Sequence, residues 1–222
     1  MSTRVLIVAP HPDDETLGCG GTILRLAKEG AQIAWLLVTA VSEQAGYESK
    51  DVRQREDEIS RVSELFGFKR VFRPRLPTTR LDTMPMADLV KVFYVVFKEF
   101  QPEQVYLPSP LDVHTDHRMV FNAGVACSKW FRHPSVRRVL SYETLSETEF
   151  SLETHNWFRP NCFVDISEFL ERKLEVMSVY QSEIRPYPFP RSLESIRALA
   201  TLRGATAGFN AAEAFQLLLE RT

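Results

Sequence analysis

Polar and apolar positions fall into blocks along this chain, and the blocks change period as they go. Residues 5–9 and 32–39 are short apolar runs rich in β-branched side chains, the pattern of strands buried on both faces. Between them, residues 16–29 carry Leu17, Ile23, Leu24 and Ala27 at helical spacing and run into Gly30, a favourable residue just past a helix end. A charged amphipathic helix follows over 51–66 (Val52, Ile59, Val62, Leu65, Phe66), closed by Gly67, with a polar loop over 40–50 before it. A short third strand over 69–72 precedes an irregular stretch, 73–85, that holds three prolines. The pattern then predicts a strongly apolar helix over 86–100, a fourth strand over 104–107, a helix over 118–131 and a fifth strand over 137–142. Beyond these it predicts a sixth strand at 162–164 and helices over 166–182, 193–203 and 211–219, with a proline-broken link at 184–190.

Alternation of strand and helix as far as residue 142 predicts an α/β fold: a mostly parallel sheet with helices on both faces. In the doubly wound strand order 3-2-1-4-5 the first and fourth strands are neighbours at the switch point, where open sheets keep their ligands. The loops that follow these two strands should therefore meet.

Both loops are rich in chemistry. After the first strand comes PHPDDE, in which Pro10 and Pro12 keep the chain extended and display His11, Asp13, Asp14 and Glu15 at the strand's carboxyl end. After the fourth comes PSPLDVHTDH, which sets His114 and His117 three apart at the start of a helix, able to share one face. Three of the chain's five histidines sit in these loops. Any one of these residues alone reads as a cap or a satisfied polar group. Two clusters delivered to one crevice read as a metal site. Two histidines and one carboxylate, with a position left for water, form a catalytic zinc set, and bound zinc would bring its water to a pKa of about 7. Asp13 and Asp14 diverge in an extended segment, so one can hold the metal while the other serves as general base. Glu15 reads as structural, its charge complementing the helix start.

Composition narrows the surroundings. The 222 residues are 44% hydrophobic and 25% charged with a net charge of −2, which suits one soluble domain with a full core. The 1–142 core would be completed by 143–222, which finishes the site. No basic footprint for nucleic acid is present, no stretch of 18 apolar residues predicts a membrane span, and the chain enters its first strand without a signal peptide. Cys19, Cys127 and Cys162 are odd in number and far apart, which predicts three buried thiols and a cytoplasmic location. Gly18, Gly20 and Gly21 lack the spacing of a dinucleotide fingerprint and predict close packing of the first helix on the sheet. His133 and His155 read as surface residues, Met84, Met86 and the 93–100 cluster as core, and Trp157 as a core anchor rather than a sugar-stacking lid.

PHPDDE and HTDH together resemble the two signatures of the PIG-L/LmbE-like zinc-dependent N-deacetylases. The similarity extends to Arg55-x-x-Glu58 before Phe66-Gly67, to the Lys173–Glu183 helix ending YQSE, and to RSLESIRALATLRG and AAEAF, which look like a bacterial sugar-deacetylase branch. The resemblance implies a Rossmann-like fold, one zinc ion per chain held by His11, Asp14 and His117, and Asp13 as general base. It further implies that His114 stabilises the oxyanion or protonates the leaving amine, with Asp116 tuning its charge. The implied reaction removes acetyl from an N-acetylglucosamine-like sugar or conjugate, and related deacetylases form trimers or hexamers. Arg55, Arg185 and Arg203 are candidates to bind sugar hydroxyls or an anionic aglycone. Two departures stand out: Thr39-Ala40-Val41 lacks a glycine common after the second strand, and Tyr180 and Glu183 replace the His and Gln of thiol-cofactor-pathway members. Two other readings of the same residues remain, an Fe(II)-dependent oxygenase using the same ligands and a metal-dependent sugar-binding protein without turnover. The paired Asp13 favours hydrolysis over the first.

Overall fold

The computed structural model describes residues 2–152, 155 and 157–222. In chain order its elements are β1 (Arg4–Ala9), α1 (Asp14–Lys28), β2 (Gln32–Leu37), β3 (Thr39–Ala40), α2 (Ser49–Phe66), β4 (Arg70–Phe72), β5 (Leu76–Pro77), α3 (Met86–Phe100), β6 (Gln104–Pro108) and α4 (Thr115–Cys127). The chain then continues through β7 (Arg138–Tyr142), β8 (Cys162–Asp165), α5 (Leu170–Met177), α6 (Leu193–Ala207) and β9 (Ala212–Glu220). Seven strands form one sheet in the order β4-β2-β1-β6-β7-β9-β8, and β3 pairs with β5 in a separate ribbon. The first five strands of that order are mutually parallel. β1 lies directly beside β6, with Val5 opposite Gln104 and Ile7 opposite Tyr106, so the two motif loops leave the same edge of adjacent strands.

Side-chain alternation along β1 divides the core. Val5 and Ile7 pack with α1, α2, α5 and α6 on one face, while Leu6 and Val8 pack with α3 and α4 on the other. Both faces being covered explains why the strand reads as an unbroken apolar run. Among the described residues, no helix is long and apolar enough to cross a membrane.

The glycines of α1 pack as their pattern predicts. A β-carbon at Gly18 would overlap the Tyr142 ring, and one at Gly21 would overlap Ile166. The Tyr142 ring is itself fixed, because its hydroxyl donates to the Val8 carbonyl at 2.8 Å. Gly18→Ala is therefore expected to destabilise the chain by about 1–3 kcal/mol through overpacking. In a thermal melt that is roughly 2–4 °C for each kcal/mol at this chain length. An unchanged melting temperature would show that Tyr142 gives way freely.

Several elements differ from the sequence pattern. The 211–219 segment is a strand, β9, inserted antiparallel between β7 and β8. Its Ala, Glu, Gln and Leu residues favour a helix, but hydrogen bonding on both edges overrides a preference worth only tenths of a kcal/mol per residue. Glu213 fixes the strand to α1 and α5: its carboxylate accepts from the Gly21 and Thr22 amides at 2.8 and 2.7 Å and from Lys173 Nζ at 2.7 Å. The helix predicted over 166–182 is confined to α5, and α4 begins at Thr115 rather than Arg118 because His114 caps it. His133 is buried, not a surface residue, and its ring packs beside Tyr94 and Phe97. Trp157 is 58% exposed, so it anchors no core. Cys19 and Cys127 are buried, while Cys162 is only partly so.

Candidate metal centre and cleft

The chain leaves β1 through Pro10 and turns sharply at Asp13, whose φ of 121° is a conformation that costs a non-glycine residue about 1–3 kcal/mol. Glu15 and the start of α1 hold that turn. The Asp13 amide donates to Glu15 Oε2 at 3.2 Å, and the Asp13 carbonyl accepts from Thr16 and Leu17. Glu15 is fully buried and also accepts from the Thr16 and Tyr180 hydroxyls at 2.6 and 2.8 Å. Burial pushes its carboxyl up to about 7 despite these hydrogen bonds. Glu15 is thus a buried scaffold for the turn, more than the dipole complement its position suggested.

The turn separates the two aspartates. Asp14 Oδ2 faces inward, 3.4 Å from His11 Nδ1 and 3.3 Å from His117 Nε2, and those two nitrogens are 3.4 Å apart. Four ligands at zinc-like bond lengths of about 2.0–2.1 Å would make a tetrahedron with edges near 3.3–3.4 Å. The three donor atoms already form one face of it. The outer nitrogens are occupied: His117 Nδ1 meets Asp112 at 2.7 Å and His11 Nε2 meets Asp116 at 3.1 Å. Protons held on the outer nitrogens leave the inner ones as lone pairs aimed at each other and at a carboxylate, which is a donor set for a cation.

The local electrostatics make the same demand. Burial alone would lower His117, yet Asp14 and Asp112 hold it well above its ordinary value. Burial would likewise lower His11, but hydrogen bonds with Asp116 and Asp14 raise it. Burial would raise Asp14, and the two histidines instead hold it below the usual carboxylate range. The pocket seeks positive charge, and a divalent ion fits it. A second grouping, His11, His114 and Asp116, also brings three donor atoms together. In that set Asp116 already accepts from the Thr79 and Leu81 amides at 2.7 and 3.1 Å, which leaves it a poorer ligand.

Asp13 points elsewhere. Among the described residues no hydrogen bond reaches its carboxylate, and Arg191 Nε stands 3.7 Å away. Burial, with Asp14 and Glu183 nearby, pushes this carboxyl well above the usual range, and Arg191 acts against that rise. His114 caps α4 by accepting the Asp116 amide on Nδ1 at 3.1 Å, so its Nε2 carries the proton of the neutral ring. Burial and the adjacent His11 and His117 lower its pKa to about 4, which keeps it neutral near pH 7.

These residues share one cleft of about 280 Å³, bordered also by Tyr47, Arg55, Thr79, Glu147, Glu183 and Arg191. Of the predicted site residues, the structure brings together His11, Asp13, Asp14, His114, His117 and Arg55 along its wall. Asp116 lies beneath, and its carboxylate hydrogen-bonds His11 rather than His114. Arg185 is exposed outside the cleft with its guanidinium over Phe189, and Arg203 is committed to Glu143 at 2.6–2.8 Å and does not border the cleft. Sequence reasoning passed over Asp112, Arg191 and Glu147. Asp112 was visible five residues before His117, and Arg191 opens the RSLESIRALATLRG stretch, whose spacing does not place it in the cleft.

Because Asp112 fixes the His117 ring, Asp112→Ala is expected to weaken metal binding by about 10–100-fold, as loss of such an outer partner does. A competition titration with a chromophoric chelator reads this directly, and unchanged affinity would mean that Asp112 does not orient the ligand.

Residues 6–128 match the family described as PIG-L: GlcNAc-PI de-N-acetylase. The diacetylchitobiose deacetylase of Thermococcus kodakarensis is 27% identical over 237 residues, spanning 97% of this chain and 83% of that one. The 2'-N-acetylparomamine deacetylase of Streptomyces fradiae is 26% identical over 238 residues, spanning 92% and 83%. Among solved structures, a conserved protein from Thermus thermophilus superposes with a TM-score of 0.77 at 26% identity, covering 98% of this chain and 96% of its own.

Proposed function

This chain belongs to the PIG-L family, and we propose from that premise that it is a zinc-dependent hydrolase removing acetyl from an N-acetylglucosamine-like sugar or conjugate. The observation that carries the reading is the inward-facing triangle of His11 Nδ1, Asp14 Oδ2 and His117 Nε2 with a free carboxylate, Asp13, beside it. When bound, a zinc ion supplies Lewis-acid polarisation of a carbonyl oxygen and acidifies water. Asp13 accepts the proton of the attacking water, having no hydrogen-bond donor to displace, and returns it to the amine nitrogen as the C–N bond breaks. His114, neutral and protonated on Nε2, donates to the oxygen of the acetamide carbonyl as negative charge gathers there. Its assignment as oxyanion donor is favoured over proton delivery to the amine, since the ring holds one proton and its other nitrogen is engaged. Asp112 and Asp116 keep the two histidine ligands in register.

The resemblance of the curated relatives, two of which are deacetylases of N-acetylated sugars, supports the substrate class. An oxygenase would use the same two-His-one-carboxylate set but has no use for an unligated acid at Asp13. The test is acetate release from a panel of N-acetylated amino sugars by the zinc-loaded chain. Stoichiometric acetate and free amine support the reading, and binding without any release would favour a sugar-binding protein instead.

A further inference from the structure

Among the described residues, Arg55 and Arg191 are the arginines that border the cleft, and no lysine joins them there. Both converge on Glu183. Arg55 makes an ion pair with Glu183 Oε1 through Nη2, and Arg191 Nη2 reaches Glu183 Oε2 at 3.0 Å. Other guanidinium nitrogens have partners as well. Arg191 Nη1 donates to Ser146 Oγ at 2.6 Å and its Nε to the Glu183 carbonyl at 3.2 Å, while Arg55 Nη1 lies 3.4 Å from the Pro12 carbonyl. One carboxylate thus answers two cations, and Glu147, Asp13 and Asp14 add negative charge to the same wall.

We propose that Glu183 is a specificity determinant that restricts this cleft to N-acetylated sugars carrying no anionic group beside the reacting ring. With a divalent ion held by His11, Asp14 and His117, its charge and the two arginines would be matched by four carboxylates, leaving no positive charge for a second anion. A carboxylate or phosphate on the aglycone would find both guanidiniums already paired and Glu183 and Glu147 opposing it. Hydroxyl groups meet no such obstacle, since they donate to the carboxylates and accept from guanidinium edges in turn. The proposal rests on the deacetylase reading for which end of the sugar reacts, and it refines that reading by the charge of the substrate.

The test compares two glycosides of N-acetylglucosamine, the methyl and the carboxymethyl, which differ by one carboxylate group. On the zinc-loaded wild type, kcat/KM should favour the methyl glycoside by about tenfold or more, with the gap narrowing as salt rises. In Glu183→Gln the ratio should shift towards the carboxymethyl glycoside by about tenfold, because the amide keeps the shape and frees the two guanidinium charges. Taking the ratio on one preparation cancels any loss of active protein. Equal rates on both glycosides in the wild type, or a ratio that Glu183→Gln leaves unmoved, would overturn the proposal. Calorimetric binding of the corresponding methyl and carboxymethyl glucosaminides to both variants separates this failure from that of the deacetylase reading. If no acetate is released at all, the hydrolase reading falls. The charge proposal then stands if binding still favours the neutral glycoside and Glu183→Gln reverses it, and falls otherwise.

Discussion

Asp13→Asn should bind zinc as the wild type does and yet release acetate about 10²–10⁴ times more slowly. The amide keeps the shape of the side chain but has no basic oxygen to take the proton from water, and general-base assistance is typically worth that factor, roughly 3–5 kcal/mol of barrier. Metal binding should survive because Asp13 contributes no atom to the triangle formed by His11, Asp14 and His117. The turn should survive too. It is held by the Asp13 backbone, through its amide to Glu15 and its carbonyl to Thr16 and Leu17, and not by the side chain. Metal content and kcat measured on the same sample decide the matter. A fully loaded Asp13→Asn that turns over at the wild-type rate would remove Asp13 from the reaction.

The neighbouring residue should behave in the opposite way. Asp14→Ala removes one of three protein donors and the only carboxylate among them, so metal affinity should fall by more than the 10–100-fold or so expected for an outer partner. It also leaves the His11 amide without the acceptor it has at 2.8 Å. Occupancy after gel filtration should drop from about one ion per chain to near zero, and activity should drop with it. Partial activity restored by excess zinc would agree with a weakened site. Undiminished occupancy would mean that the ion sits elsewhere, with the grouping of His11, His114 and Asp116 the next to test. Two adjacent aspartates with opposite phenotypes would be hard to obtain from any account in which both are merely structural.

Much of this was legible in the sequence because the site hangs on local features. The unbroken apolar run of β1 betrays a strand covered on both faces, and the order of strands and helices up to Tyr142 places β1 next to β6. The HPDDE and HTDH loops then had to meet. What escaped depended on tertiary partners. β9 is written in residues that favour a helix and becomes a strand because β7 and β8 both offer it an edge. His133 looks like surface histidine until Tyr94 and Phe97 close around it. Arg185 and Arg203 were as plausible as Arg191 from sequence. Only the fold shows that Arg203 is spent on Glu143 while Arg191 comes alongside Asp13. Asp116 acts on His114 through its charge, while the amides of Thr79 and Leu81 hold its carboxylate where it hydrogen-bonds His11.

The most direct test of a metal-dependent deacetylase is to strip the chain with a chelator, titrate zinc back, and follow acetate release from an N-acetylglucosamine glycoside at each addition. Activity should be absent at the start, rise in proportion to bound zinc and level off at about one equivalent per chain. Acetate release at full rate from the metal-free chain would contradict the account, as would a plateau that bears no relation to the ion bound.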